Sequence, residues 1–153
     1  MKSTTLPSTG FLPEIADAAH SPQAAPGGVL MKVAAGLFGI AIGVALYLAW
    51  QSAAGKAIAG CGPESGCGHI LTSRWSVVGS VPVSLPGAVA YAVLLVSALR
   101  GGTWSPGRRR LELGVSVLVL GGALWFTIVQ AFILKAFCPW CCAAHLLASA
   151  GLV

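Results

Sequence analysis

Residues 138–141 read Cys-Pro-Trp-Cys, closing one long apolar run and opening the next. A dithiol motif in that position sits at a membrane surface, because each flanking run is built for hydrocarbon. Structural zinc pairs belong mostly to four-ligand clusters in soluble modules, whereas a dithiol at the edge of a bilayer can trade electrons with something dissolved in lipid. Pro139 suits the first position of a helix, where its missing N–H costs nothing, so Cys138 falls at the helix N-terminus. Backbone N–H groups and the helix dipole favour a thiolate there, which predicts a lowered pKa and a reactive sulfur. Cys141 lies a turn further in, facing the bundle or the lipid boundary. A permanent structural disulfide or a zinc pair is the competing reading of the same two residues.

The composition around this motif sets the solvent. Of 153 residues, 56% are hydrophobic and 8% charged, against about 25% charged in ordinary soluble domains. Water cannot be the solvent for most of such a surface, so the chain reads as an integral membrane protein of one domain. The net charge of +5 does not point to nucleic acid. The basic residues are scattered between apolar runs, where they act as topology signals and lipid-headgroup partners.

Four spans follow from the hydropathy pattern. Residues 1–28, rich in Pro, Ser, Thr, Ala and Gly and carrying Glu14, Asp17 and a solvated His20, offer no hydrophobic face and are expected to form a disordered tail. The run 29–54 is long enough to cross the bilayer and too long for a signal-peptide core. Residues 55–83 form a Gly-rich, irregular, structured loop outside the membrane. Ser84 is placed to cap the second helix, 84–100, with Pro86 in its first turn. A short turn, 101–110, holds Arg108, Arg109 and Arg110; the third span covers 111–135 and the fourth 139–153. The expected fold is therefore all-α, a four-transmembrane-helix bundle over 29–153 with a structured extracytoplasmic loop between helices 1 and 2. The last span is about 22 Å long at ~1.5 Å per residue, against a core of about 30 Å, so it is either tilted beside a thinned bilayer or cut short. Trp50, Trp104 and Trp140 suit interfacial belts.

In this arrangement one side of the membrane holds Lys2, Lys32, Arg100, Arg108, Arg109 and Arg110, and the other Lys56, Arg74 and Lys135. The positive-inside rule places both termini in the cytosol. Cys61 and Cys67 of the loop then share the oxidising face with Cys138 and Cys141. Cys61 and Cys67 lie in the string CGPESGC, a short loop that Gly62, Pro63 and Gly66 allow to bend. Such a small exposed disulfide is open to another protein's thiolate, although by itself it would equally serve as a loop staple. With two pairs on one surface where disulfides persist, a relay of thiol–disulfide exchanges becomes geometrically possible.

The order Cys61, Cys67, then Thr72-Ser73-Arg74-Trp75, then Ser84 with Gly87 and Tyr91, then Cys-Pro-Trp-Cys at the head of the last span resembles the vitamin K epoxide reductase family. Within it, the bacterial homologues without a fused thioredoxin domain are the nearest in pattern. The resemblance covers about residues 29–153. It implies a four-helix bundle enclosing a quinone of the ubiquinone, menaquinone or phylloquinone type, with the outer loop as a lid. It also implies a bacterial inner-membrane location with both cysteine pairs periplasmic, and a periplasmic thioredoxin-fold protein as electron donor. Carried over by position, Cys67 would be attacked by the reduced partner, Cys61 would pass the electrons to Cys138, and Cys141 would reduce the quinone. Ser73 matches a loop serine that supports the lid.

Further residues are weighed beside these. His145 stands four positions after Cys141, on the same helix face, where it could bond a quinone carbonyl, steady the Cys141 thiolate or simply bond a neighbouring backbone. Vertebrate members carry tyrosine at that place, and an asparagine where this chain has Val83. Trp125, at mid-span, lines the pocket or packs. Cys142 points about 100° from Cys141 and is read as a small hydrophobe. No metal is expected. The resulting function is a quinone-dependent thiol oxidoreductase that reoxidises a disulfide donor. Reduction of a vitamin K epoxide and a non-catalytic scaffold with two structural disulfides are the alternatives.

Overall fold

The computed structural model describes residues 28–56, 58–61, 66–100 and 105–153. The expected tail, together with Glu64 and Trp104, lies outside them. The described chain is all-α apart from one small hairpin. Its elements are α1 (Gly28–Ala54), α2 (Gly66–Leu71), β1 (Val77–Val78), β2 (Val81–Pro82), α3 (Ser84–Arg100), α4 (Pro106–Ile128), a π-helical turn (Val129–Leu134) and α5 (Pro139–Ala150). Two helical stretches, Gly28–Ala54 and Pro106–Leu134, are long and apolar enough to cross a membrane, and Ser84–Arg100 is a shorter apolar helix.

Helices α1, α3, α4 and α5 pack around a common core of Phe38, Ala41, Ala45, Ala88, Tyr91, Leu94, Val119 and Ala148. Half of that core is alanine. Small residues of this kind let helix backbones approach closely. Large apolar side chains such as Leu124, Phe132 and Leu146 point outward.

The described parts of the loop 55–83, expected to be structured but irregular, hold regular elements. They contain the short helix α2 and the antiparallel β1–β2 hairpin, in which Val77 pairs Pro82 and Val78 pairs Val81. The two turn residues, Gly79 and Ser80, both have positive φ (55° and 72°), as a two-residue hairpin turn matching strand twist requires.

Three helix boundaries differ from expectation. Ser105 caps α4 by accepting the Arg108 N–H, and Pro106 begins the helix, so the arginine triplet belongs to its first turns. There Arg108 bonds Glu112 at 3.0 Å and the Ser97 carbonyl at 2.8 Å, pinning α4 to the end of α3. Ser84 does not stand outside α3 as its cap. The Val83 carbonyl takes the first helical bond, from the Gly87 N–H, and Ser84 is already in the first turn. Finally α5 ends at Ala150, shorter than the 139–153 run.

Candidate functional site

The geometry of the sulfurs begins with Pro139. Helix α5 starts there, with Cys138 as N-cap in extended conformation and its Sγ accepting the Cys141 N–H at 3.4 Å. Interaction with the Cys141 side chain pulls the Cys138 pKa down to about 7; burial opposes this and the backbone N–H groups of Cys141 and Trp140 assist. Cys138 is thus the group that ionises readily near neutral pH. Cys138, Cys141 and Cys142 are free thiols, while Cys61 and Cys67 are joined in a disulfide. Among the described residues no three His, Cys, Asp or Glu side chains converge as a metal site.

The two pairs meet in a second buried cluster, made of Leu48, Ile58, Cys67, Ile70 and Cys138, with Cys61, Cys141 and Trp140 packed against it. What brings them together is a backbone contact. A Cβ at Gly66 would lie 2.5 Å from the Phe137 carbonyl oxygen and 3.0 Å from its nitrogen, so only glycine lets α2 approach the hinge this closely. The residue before Cys67 thereby touches the residue before Cys138. On the Cys61 side, Trp140 Nε1 donates to the Ala59 carbonyl at 3.2 Å, and the Ala59 N–H donates to the Tyr47 hydroxyl at 3.0 Å. The Tyr47 and Trp140 rings lie 5.5 Å apart. Trp140 is therefore a tie between the motif and the loop, where composition suggested a belt residue.

Burial distinguishes the two loop sulfurs. Cys67 is 0% exposed, like Cys138, and shares a cluster with it, whereas Cys61 is half-buried at the margin. In this conformation Cys61 is the more accessible of the two loop sulfurs, whereas the resemblance assigns the partner's attack to Cys67.

Beneath the sulfurs lies a cavity of about 310 Å³, its wall apolar except for a few groups that include Ser84, Tyr91, Gln130, Cys141 and His145. Tyr91 Oη and His145 Nδ1 are 3.4 Å apart, and the His145 ring stacks on Phe126 at 6.0 Å. His145 lines the cavity, and the partner the structure gives it is the Tyr91 side chain, whereas the helix-contact reading anticipated a neighbouring backbone group. Trp125 is half exposed and outside the lining; it packs edge-on against Trp75, which does line the cavity. Arg74 in turn covers Trp75, its guanidinium 5.1 Å from the ring. Ser73 donates to the Ile70 carbonyl at 2.7 Å and receives two bonds from Ser76, closing the turn after α2. It supports the segment carrying Cys67 without reaching the cavity.

Gln130 escaped the sequence reading altogether. One glutamine in an apolar span carries no periodic signal, although a polar side chain within a span is a reason to look for function. It is 2% exposed, and its Oε1 accepts the Cys138 N–H at 2.9 Å.

The family model described as "Vitamin K epoxide reductase family" matches residues 30–153. Neither a curated protein nor a solved structure matches significantly.

Proposed function

We propose that this chain, which belongs to the vitamin K epoxide reductase family, oxidises a thioredoxin-fold protein outside the cytoplasm and delivers the electrons to a membrane quinone. α1, α3, α4 and α5 of the 29–153 domain all span the bilayer, with both termini cytosolic and the loop 55–83 on the oxidising face, a topology that the distribution of Lys and Arg supports.

The exchange begins when a thiolate of the reduced partner attacks Cys61 Sγ. The Cys61–Cys67 bond breaks, a mixed disulfide forms and Cys67 leaves as thiolate. The partner's second thiolate resolves the mixed disulfide, leaving the partner oxidised and Cys61 free. Cys67 then attacks Cys138 in a Cys138–Cys141 disulfide, expelling the Cys141 thiolate. Attack of Cys61 on Cys67 restores the loop bond and frees Cys138. The net result is two electrons on the hinge pair and an oxidised loop, the bonding pattern the structure has. Closing the Cys138–Cys141 bond again passes two electrons to the quinone, which with two protons leaves as quinol. The quinone supplies that redox chemistry; the chain supplies position and a dry wall.

The observation that carries this reading is the junction of the sulfur cluster and the apolar cavity at Cys141, which belongs to both. A cavity of about 310 Å³ with a few convergent polar groups fits a ring with two carbonyls. In this reading Tyr91 and His145 orient the ring, Ser84 lines its slot, and Trp125 acts only through Trp75. The test is to mix purified protein with a reduced thioredoxin-fold protein and menaquinone or ubiquinone, and to follow quinol by absorbance. Quinol formation that needs all four cysteines is the expected result; unchanged behaviour of Cys61→Ser and Cys141→Ser would leave a scaffold with structural sulfurs.

A further inference from the structure

Gln130 is the most buried polar side chain among the described residues. It stands in the π-helical turn Val129–Leu134, where one extra residue per turn shifts the register of a span, a feature concentrated at functional sites. Its backbone carbonyl accepts both the Lys135 and the Ala136 N–H, ending the helix there, and Lys135 turns the chain at φ 48°. Its side chain accepts the N–H of Cys138. An N–H can only be received by the oxygen end of an amide, so the Cys138 backbone decides which way this amide points. The Nε2 group is left with two N–H donors and no acceptor among the described residues. A buried donor without an acceptor is costly, and Gln130 lines the cavity. The Tyr91 hydroxyl and His145 Nδ1 are turned toward each other, which leaves the Gln130 amide as an uncommitted donor on that wall.

We propose that Gln130 Nε2 donates to a carbonyl oxygen of the quinone, while Oε1 of the same amide holds the backbone of Cys138. This inference rests on the quinone reading above. One planar group then sets the position of the acceptor ring relative to the hinge pair. It also makes the cavity prefer a carbonyl-bearing ring over a hydrocarbon of the same shape.

The experiment uses the full chain in detergent, with dithiothreitol as reductant so that no protein partner is needed. Menaquinone-1 is the substrate, and its deoxygenated naphthalene analogue is a competitive inhibitor. In Gln130→Met the KM for menaquinone-1 rises about threefold to tenfold, the worth of one hydrogen bond, while the analogue's inhibition constant stays within about twofold of wild type. Equal weakening of both ligands means that Gln130 only shapes the wall, and an unchanged KM means that it makes no contact; either result overturns the inference and leaves the quinone reading standing. A wild-type protein that reduces no quinone overturns both. Should Gln130→Met fail to fold, Gln130→Glu keeps an oxygen for Cys138 and replaces the donor nitrogen. Its KM for menaquinone-1 should rise with pH as the carboxyl ionises, the analogue staying flat, and a pH-independent wild-type KM in that variant overturns the inference.

Discussion

The cluster of Phe38, Ala41, Ala45, Ala88, Tyr91, Leu94, Val119 and Ala148 draws on four helices and no loop, whereas the cluster of Leu48, Ile58, Cys67, Ile70 and Cys138 joins α1 to the loop, to α2 and to the hinge before α5. The first is held by small residues that let backbones approach, and every residue in it depends on its neighbours for packing. The second is held by one glycine contact and a few hydrogen bonds, and most of its members lie on segments with an exposed side. Helix against helix cannot shift without opening a void. A loop seated on a hinge can lift and return, as a relay between two disulfides demands. In the proposed relay the helical cluster is the fixed scaffold and the loop is the contact that moves, so variants in the two regions should fail in different ways.

The largest contrast comes from the sulfurs. Cys138→Ser or Cys141→Ser should lower dithiothreitol-driven quinone reduction by on the order of 10³-fold, whereas Cys61→Ser should keep that activity and lose only the partner-driven one. Quinol formation with each donor separates the two, and equal losses with both donors would erase the distinction between loop and hinge. In the scaffold cluster, Ala41→Leu forces added methylenes into a fully buried site and should cost about 1–3 kcal/mol, read as a lower Tm with unchanged turnover per folded molecule. Gly66→Ala puts a Cβ against the Phe137 backbone, which cannot rotate away as a side chain would. Partner-driven turnover should fall about tenfold, if the displaced loop costs one strained contact of ~1.4 kcal/mol, with dithiothreitol-driven turnover intact. Trp140→Phe removes the bond to Ala59 and keeps the ring, and should slow the same exchange about threefold to tenfold. The mildest test is pH. With Cys138 held at about 7, the ultraviolet absorbance of its thiolate in a Cys142→Ala background should rise as pH approaches that value from below and level off above it. In Cys141→Ala, which lacks the thiol that stabilises the anion, the midpoint should move upward.

Legibility in the sequence followed how local each feature is. α1 and α3 fall within a residue of their expected limits, because long apolar runs announce themselves. Pro139 marked the start of α5 and the cap at Cys138, since that chemistry is written in adjacent residues. The loop was expected to be structured but irregular, and its helix α2 and β1–β2 hairpin were hidden behind its glycines. Gly79 supplies a turn with positive φ and Gly66 a close backbone approach, and nothing in the string tells those uses apart. Trp140 and Trp125 were both ambiguous for the same reason: an aromatic ring in a membrane protein suits a belt, a core or a contact until its neighbours are known.

The residues themselves determined that the chain needs an apolar solvent, that it is helical, and that one cysteine pair lies in a loop and the other at the junction of two apolar runs. Hydropathy and helix-start chemistry act over a few residues, so they survive in one dimension. Only the folded molecule decided that Cys67 is sealed in with Cys138 while Cys61 stays at the margin, that Trp140 reaches the carbonyl of Ala59, and that Gln130 holds the Cys138 backbone while it lines the cavity. Burial and hydrogen-bond direction depend on groups far apart along the chain meeting in space, and no local rule encodes which of them do.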